Sequence, residues 1–237
     1  DEGMEAIKEL SNVLNLDKTP ERIEAYDISN IQGVESVGSM VVFENGIPNK
    51  SNYRRFKIKT VEGPNDYKSL EEVLERRINR GLGDGKQGFN KMPDLILIDG
   101  GKGQTNIAEE VISNFGLSIP VCGMIKDDKH TTKGLIYKNK EIELRKTDIV
   151  YKLIYRIQEE AHRFAIEYHR NLRDRTLFKS ELDNIKNIGE KRKINLLKKF
   201  GSIENIKTKS INDLLSVPGM NTVAAESVYN YFHKEKN

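Results

Sequence analysis

The chain has 237 residues, 37% of them hydrophobic and 32% charged, with a formal net charge of +3, which suits a globular protein of two domains. Its single cysteine, Cys122, excludes an intrachain disulfide and a cysteine-rich zinc site, and it fits a reducing cytoplasm. No apolar stretch approaches the roughly 20 residues that span a bilayer, and Asp1–Met4 resembles an internal start within a longer protein more than a signal peptide.

The first 60 residues are predicted to form one helix and then three strands. Apolar residues at helical spacing predict a helix over 4–16, which ends before Pro20. The predicted strands are Arg22–Ser29, Ser36–Glu44 and Asn52–Thr60. Asn45-Gly46 is a strong turn signal, and the short links between consecutive strands favour an antiparallel meander.

The pattern then alternates between helices and short buried strands. Helices are predicted over 69–80, 105–115 and 148–170, a loop over 81–88, and strands over 95–98, 119–125, 135–137 and 141–144. The strand–helix–strand succession implies a parallel crossover. Cys122, inside an apolar run, is expected to be a buried small residue. Residues 1–170 therefore resemble one mixed α/β domain, a meander followed by a β-α-β unit.

The tail from residue 178 shows short helices and glycine turns with no strand signal. We place the boundary near 171–180, which gives an α/β domain over 1–175 and a small all-α domain over 176–237. Two segments resemble each other, Ile185–Lys191 and Leu215–Asn221, as in a tandem helix-hairpin-helix domain. Their glycines permit a positive φ or a close backbone approach, and the helix that follows presents free N–H groups to a phosphate.

Lysines and arginines crowd the first hairpin and predict salt-dependent, sequence-independent affinity for DNA. The alternative is a plain helical bundle with solvated lysines, but two hairpins with matching apolar positions favour backbone binding. The second hairpin has few positive charges and is expected to contribute mainly packing. The tail residues expected to face DNA are Ile188, Gly189, Lys191, Arg192, Lys193, Val217, Gly219 and Asn221.

Two carboxylates lie in hydrophobic strands, where a charge is costly unless it is paired or bound to metal. Asp27 lies in the first strand, and Asp99 follows four apolar residues of the fourth. If these strands are neighbours, both carboxylates converge near strand ends, where open parallel sheets bind ligands. A divalent cation would relieve their repulsion, and oxygen ligands favour Mg²⁺ or Mn²⁺. His162, beside the apolar stripe of the long helix, is a candidate third ligand or acid/base group. Taken singly, an aspartate at a strand end is more often a turn residue and a histidine on a helix is more often a surface or core residue than part of a metal site.

Two further segments carry phosphate-binding character. The loop Gly100–Thr105 fails the Walker A pattern because Gly103 follows Lys102, but it precedes a helix and could hold a DNA phosphate. The basic strand residues Arg54, Arg55 and Lys57 are candidate backbone contacts. The alternative for the two arginines is ordinary protection of an edge strand.

Several stretches resemble the UvrC family and occur in the family's order. They are Ala25–Gly33, Ser39–Phe43, Tyr53–Phe56, Leu97–Gln104 and Asp148–Ala165. The tail resembles the family's paired helix-hairpin-helix domain, so the resemblance covers nearly the whole chain. It implies an RNase H-like fold whose catalytic and metal-binding residues are Asp27, Asp99 and His162. Asp66 matches another acidic family position and is a candidate supporting residue, as is Lys102.

The resemblance also implies a divalent-metal endonuclease that makes the 5′ incision in bacterial nucleotide excision repair, a cytoplasmic process of the SOS response. The implied partners are double-stranded or bubble DNA, UvrB and the UvrA-dependent damage-recognition pathway, with no membrane. The family's GIY-YIG nuclease and UvrB-contact segment have no counterpart in this sequence, so a 3′ cut is not expected. The rivals are a non-catalytic DNA-binding module and another RNase H-like enzyme such as a resolvase. Nucleotide hydrolysis is disfavoured by the missing Walker A motif.

Overall fold

The computed structural model describes residues 1–31, 35–83 and 88–234. Gln32 and Gly33 of the first UvrC-like stretch, and positions 84–87 of the predicted 81–88 loop, lie outside these ranges. The chain divides into two compact units, Asp1–Ile166 and Glu167–Asn237. The predicted domain boundary after residue 175 stays a prediction.

The first unit combines a mixed sheet with helices. Its strands are β1 (Arg22–Ile31), β2 (Glu35–Glu44), β3 (Ile47–Pro48), β4 (Arg54–Lys57), β5 (Leu95–Ile98), β6 (Val121–Lys126), β7 (Thr132–Tyr137) and β8 (Lys140–Glu143). Its helices are α1 (Glu2–Leu14), α2 (Asp66–Leu82) and α3 (Lys102–Asn114), and the long helix α4 (Ile149–Leu182) begins within it.

The sheet has a parallel centre of β1, β5 and β6, with antiparallel strands on both sides of it. The strand order is β3-β2-β1-β5-β6-β7-β8, and β4 also pairs with β2. β2 is antiparallel to both β1 and β4, which confirms the predicted meander. β1, β5 and β6 are parallel neighbours, which confirms the predicted crossover. This mixed α/β architecture agrees with the predicted fold class, and it makes β1 and β5 adjacent, as convergence of the two carboxylates requires.

Two tight turns fix the register of the hairpins. Asn45 and Gly46 have φ values of 53° and 79°, and Lys138 and Asn139 have φ values of 50° and 63°. Positive φ at both central residues is the type I′ pattern, whose twist matches that of paired strands. Lys138 and Asn139 therefore join β7 and β8 as an antiparallel hairpin. The third predicted strand is shorter than expected, because Lys50–Asn52 forms a 3₁₀ turn before β4 begins.

The core of the first unit lies on both faces of the sheet. All four residues of β5 are buried, as parallel strands covered on both faces require. Ile154 and Ile157 of α4 are fully buried in the same cluster. Cys122 of β6 is also fully buried, which confirms its expected place in the core. Within the described ranges, no helix is both long enough and apolar enough to cross a membrane.

A buried ion network lies beside the apolar core. Glu24 of β1 accepts hydrogen bonds from Arg22 Nε at 2.9 Å and from Arg77 Nε and Nη2, both at 2.8 Å. The Tyr26 hydroxyl donates to the same carboxylate at 2.6 Å. The Glu24 side chain is fully buried, and those of Arg22 and Arg77 are each 1% exposed. The network links β1 to α2 through charges that water does not screen.

The second unit is helical in its described part. After α4 come α5 (Glu190–Phe200), α6 (Ile203–Lys207), α7 (Ile211–Leu215) and α8 (Thr222–His233). Its own core includes the fully buried side chains of Leu182, Leu196, Leu214 and Val228. The two units therefore bury separate hydrophobic clusters.

Candidate active site and nucleic-acid interface

Asp27 and Asp99 lie side by side on neighbouring strands. The parallel register of β1 and β5 ends with Tyr26 opposite Ile98. The Asp99 amide then donates to the Tyr26 carbonyl at 3.1 Å, so the pairing continues one step past β5. The residue after Tyr26 and the residue after Ile98 are the two aspartates. The structure thus brings together two side chains that are 72 positions apart in the sequence.

The electrostatics of this pair favour a bound cation. Burial, together with repulsion from the Asp99 carboxylate, raises the pKa of the Asp27 carboxyl from 3.8 to about 7. The Lys126 ammonium lowers this pKa in part, and Asp66 raises it. Two neighbouring carboxylates therefore raise the pKa of Asp27 and one ammonium lowers it, and a divalent cation would relieve the remaining repulsion. Carboxylate oxygens are the ligands that Mg²⁺ and Mn²⁺ prefer, so the residues present fit such an ion.

Each oxygen of Asp99 has a partner. Lys126 Nζ, at the end of β6, lies 3.1 Å from Asp99 Oδ2. Gln158 Nε2, on α4, donates to Asp99 Oδ1 at 3.1 Å. Sequence reasoning missed both residues. The available signal for Gln158 was an amide between the stripe residues Ile157 and Ala161, and a polar side chain buried there needs a hydrogen-bond partner.

Asp66 is held at the edge of the carboxylate pair. It is the first residue of α2, and its Oδ1 accepts a hydrogen bond from Asn30 Nδ2 at 2.6 Å. Asn30 lies on β1 and in turn accepts a hydrogen bond from the Ser36 hydroxyl. Asp66 is therefore fixed near Asp27 by a bond between α2 and the sheet, while its role as a supporting residue stays a prediction.

His162 lies on α4 one helical turn after Gln158. Residues four apart share a helix face, so the contact between Gln158 and Asp99 directs this stretch of α4 toward the strand ends. The His162 side chain itself is exposed. Among the described residues, no group of three or more His, Cys, Asp or Glu side chains has a geometry that could hold an ion. The aspartates are brought together, and His162 as third member stays a prediction.

The glycine loop after Asp99 packs closely on the sheet. A side chain at Gly123 of β6 would place its Cβ 2.5 Å from the Gly100 carbonyl oxygen, so glycine is needed there. Helix α3 begins at Lys102 with Gly101 as its N-cap, which has no side-chain cap bond. The Lys102 side chain is exposed. This loop leaves backbone N–H groups and a positive charge near the aspartate pair.

The basic residues of β4 differ in their surroundings. Arg55 Nη2 donates to the Phe164 carbonyl at 3.1 Å, and its guanidinium lies 3.7 Å from the Phe164 ring centroid. Arg54 Nη1 donates to the Ser51 and Tyr53 carbonyls at 2.7 and 2.8 Å. The Lys57 side chain is exposed. Both arginines therefore support the fold, and the DNA contacts predicted for all three remain predictions.

The two hairpins of the second unit repeat at an interval of 32 residues. The similarity between Ile185–Lys191 and Leu215–Asn221 implies an interval of 30, so that alignment is out of register by two residues. The residues with positive φ are Asn187, at 70°, and Gly219, at 82°. The N-caps that follow are Gly189 and Asn221. Gly189 has a φ of −92°, so the first turn takes its left-handed residue from Asn187, a residue type that tolerates this conformation.

The tail residues expected to face DNA divide by exposure. Ile188 and Val217 are 7% and 2% exposed, so their side chains belong to the core and only their backbone could face a ligand. Gly189 and Lys191 are exposed, and an added Cβ at Gly189 would meet no atom within 4 Å. The exposed Asn221 caps α8 by accepting from the Ala224 amide at 2.8 Å.

Two basic residues of α5 are already engaged within the unit. Arg192 donates to the Gly219 carbonyl at 2.9 Å and to the Asn187 carbonyl at 2.8 Å, so it joins the two hairpins. Lys193 pairs with Asp183. The backbone at Gly189 and the Lys191 side chain of the first hairpin are exposed, and their contact with DNA phosphates stays a prediction.

Comparisons with known proteins agree with this architecture. Residues 11–166 match the family described as the UvrC RNAse H endonuclease domain, and residues 183–237 match the helix-hairpin-helix motif. A solved Endonuclease V from Ciona intestinalis, in complex with a 24mer DNA, aligns over 53% of this chain and 54% of its own. Its identity is 16% and its TM-score 0.35, which is too loose a likeness to support an argument.

Relatives of known name cover almost all of this sequence. UvrABC system protein C of Clostridium novyi (strain NT) is 54% identical over 97% of this chain and 39% of its own length. UvrABC system protein C of Clostridium perfringens (strain SM101 / Type A) is 56% identical over 96% of this chain and 38% of its own length. The chain therefore spans less than half of the relatives it matches. It belongs to the UvrC family, with an RNase H endonuclease domain followed by a helix-hairpin-helix motif.

Proposed function

We propose that this chain is a divalent-metal-dependent endodeoxyribonuclease that makes the 5′ incision of bacterial nucleotide excision repair. The observation that supports the proposal most is the adjacency of Asp27 and Asp99, with the pKa of Asp27 raised to about 7. Half-buried carboxylates that repel each other at strand ends are a costly arrangement, which a bound cation makes favourable. The names of the relatives point to the same repair system.

Asp27 and Asp99 would hold Mg²⁺ or Mn²⁺ through their oxygens, with Asp66 as a supporting carboxylate. When bound, such an ion polarises a phosphodiester and lowers the pKa of an attacking water. His162 would act as a further ligand or transfer a proton between that water and the leaving oxygen. Lys102 and the N-terminal turn of α3 would face a DNA phosphate, because both are exposed beside Asp99.

The second unit would hold double-stranded or bubble DNA by its backbone, without reading bases. The exposed N-cap Gly189 and the Lys191 ammonium support this role for the first hairpin. Damage would then be recognised elsewhere, which fits UvrB and the UvrA-dependent pathway as partners in the bacterial cytoplasm.

The test compares Asp27→Asn with the unsubstituted chain. It measures nicking of an end-labelled bubble duplex in a buffer that contains Mg²⁺ or Mn²⁺. We expect nicking to fall by more than the roughly 10- to 100-fold that loss of an outer partner of a metal site typically costs. DNA affinity, measured by fluorescence anisotropy in EDTA, should not change. Asp17→Asn, which removes an exposed carboxylate before β1, is the matched control and should cut normally. Near-normal cutting by Asp27→Asn would overturn the proposal.

A further inference from the structure

Gln158 is a buried amide that connects helix α4 to the carboxylate pair. Its side chain lies in the interior, 3% exposed, among the apolar residues of the helix. Nε2 donates to Asp99 Oδ1 at 3.1 Å, and Oε1 accepts a hydrogen bond from the Thr132 hydroxyl. Thr132, the first residue of β7, is itself 4% exposed. A chain of two hydrogen bonds therefore runs from β7 through α4 to Asp99.

The chemistry of the three groups allows one orientation of the amide. An ionised carboxylate only accepts hydrogen bonds, so Asp99 must meet the NH₂ group of Gln158. The Gln158 oxygen then faces Thr132, whose hydroxyl can donate to it. Removing the hydroxyl would leave the amide oxygen without that donor and would weaken the preference for this orientation. Thr132 thus acts on Asp99 through Gln158.

The carboxylate plane of Asp99 is set from both sides. Oδ1 is fixed by Gln158, and Oδ2 points to Lys126 Nζ at 3.1 Å. A cation between Asp27 and Asp99 would need Asp99 to keep one rotamer, since ligand oxygens must converge on the ion before it binds. A partner that orients a metal-binding side chain influences the affinity of the metal site, as other outer-shell groups do.

We propose that Gln158, locked by Thr132, is a positioning residue that orients Asp99 for the divalent cation of the proposed active site. The inference rests on the proposed function, because it assumes that Asp99 binds the cation. It adds two residues, on β7 and α4, that do not touch substrate and act through the Asp99 carboxylate. Their effect is expected on metal affinity first and on DNA affinity not at all.

The test measures Mn²⁺ binding to the full chain without DNA, by the loss of the free Mn²⁺ signal in electron paramagnetic resonance. Gln158→Met keeps the length of the side chain but removes the donor, and it should raise the Kd for Mn²⁺ by roughly 10- to 100-fold. Thr132→Val should raise this Kd by a smaller factor. Thr132→Ser retains the hydroxyl and should restore the affinity of the unsubstituted chain.

Ile154→Val is the matched structural control, because it alters the buried face of α4 one turn before Gln158. It should lower the Tm and leave the Kd for Mn²⁺ unchanged. Unchanged Mn²⁺ affinity in Gln158→Met and Thr132→Val would overturn the inference alone, with the proposed function intact. Equal Kd values for Thr132→Val and Thr132→Ser would also overturn the role of the hydroxyl. If the unsubstituted chain neither binds Mn²⁺ nor nicks DNA, both proposals fail.

Discussion

Glu24 shows how a single buried charge can depend on contacts that sequence patterns do not predict. It occupies a strand position where alternation suggests a surface residue, yet its carboxylate meets Arg22 and Arg77 in the interior. Arg77 lies in the helix predicted over 69–80, whose periodicity does not indicate this contact. The pairing arises because β1 and α2 are packed together, and that contact follows from topology and not from local periodicity. Buried charges of this kind must be paired to be tolerated.

Replacing Glu24 with Gln should destabilise the first unit severely. The substitution leaves Arg22 and Arg77 charged in the interior, which typically costs about 3–5 kcal/mol. Glu44→Gln is the matched control, because Glu44 also contacts Arg22 but its side chain is 32% exposed, and a loss of about 0–1 kcal/mol is expected. Urea unfolding measures both. Equal losses of unfolding free energy in the two variants would show that burial of the Glu24 ion pairs does not increase their contribution to stability.

The same substitution should change how stability depends on pH. Burial acts to raise the pKa of Glu24, but the hydrogen bond and charge of Arg77, with Tyr26 and Arg22, lower it below its usual value. The unfolded chain therefore binds more protons near this pKa, and the stability contributed by ionised Glu24 is lost as the pH falls through the folded pKa. The gap between the parent and Glu24→Gln should shrink below about pH 4. A gap independent of pH would contradict this.

At the scale of elements, the paired hairpins were recognisable but their alignment was not. The sequence shows two glycines 30 residues apart, Gly189 and Gly219, and invites their superposition. The turns repeat instead at 32 residues, because Asn187 takes the left-handed position that Gly219 takes in the second hairpin. The backbone bond from the Ile185 amide to the Leu182 carbonyl has its counterpart from Val217 to Leu214. Matching the two glycines therefore gives the wrong alignment, because the hairpins correspond at the residues that share the left-handed conformation.

Substitutions at Gly219 test this correspondence. Its φ is 82°, and an added Cβ would lie 3.6 Å from the nearest atom, so the cost of Gly219→Ala is conformational and about 1–2 kcal/mol. Gly219→Asn should cost less, because Asn187 adopts the same conformation in the first hairpin. Hydrogen exchange of the Ala225 amide, which bonds to the Asn221 carbonyl at 2.9 Å, reports the loss. Equal losses for the two variants would argue against it.

For the whole molecule, the sequence predicted the order of elements and the meeting of two carboxylates, but not what surrounds them. Asp27 and Asp99 could be expected together because parallel strands align their carboxyl ends. The contacts that Lys126 and Gln158 make with Asp99 could not be expected, since they depend on the exact lateral position of β6 and α4. The end of α4 was also missed. Residues 171–180 contain no Gly or Pro to stop a helix, and α4 continues to Leu182.

DNA binding by the whole chain should depend on exposed charge and not on the total number of lysines. Lys191→Ala should weaken binding equally for all sequences and reduce the slope of log affinity against log salt by about 1. Lys193→Ala is the matched control on the same helix, because Lys193 is paired with Asp183 and should change the slope less. Fluorescence anisotropy across a salt series measures both. Identical slopes for the two variants would contradict the assignment.

The edge strands of the sheet have a consequence for self-association. At one edge of the sheet, β3 has only two residues and includes Pro48. β4 at the same edge carries Arg54, Arg55 and Lys57. The other edge strand is β8, which has four residues and carries charged side chains at Lys140, Glu141 and Glu143. Short, charged or proline-bearing borders give a second copy little backbone to pair with. Concentrated protein should therefore resist growth into fibrils by strand addition.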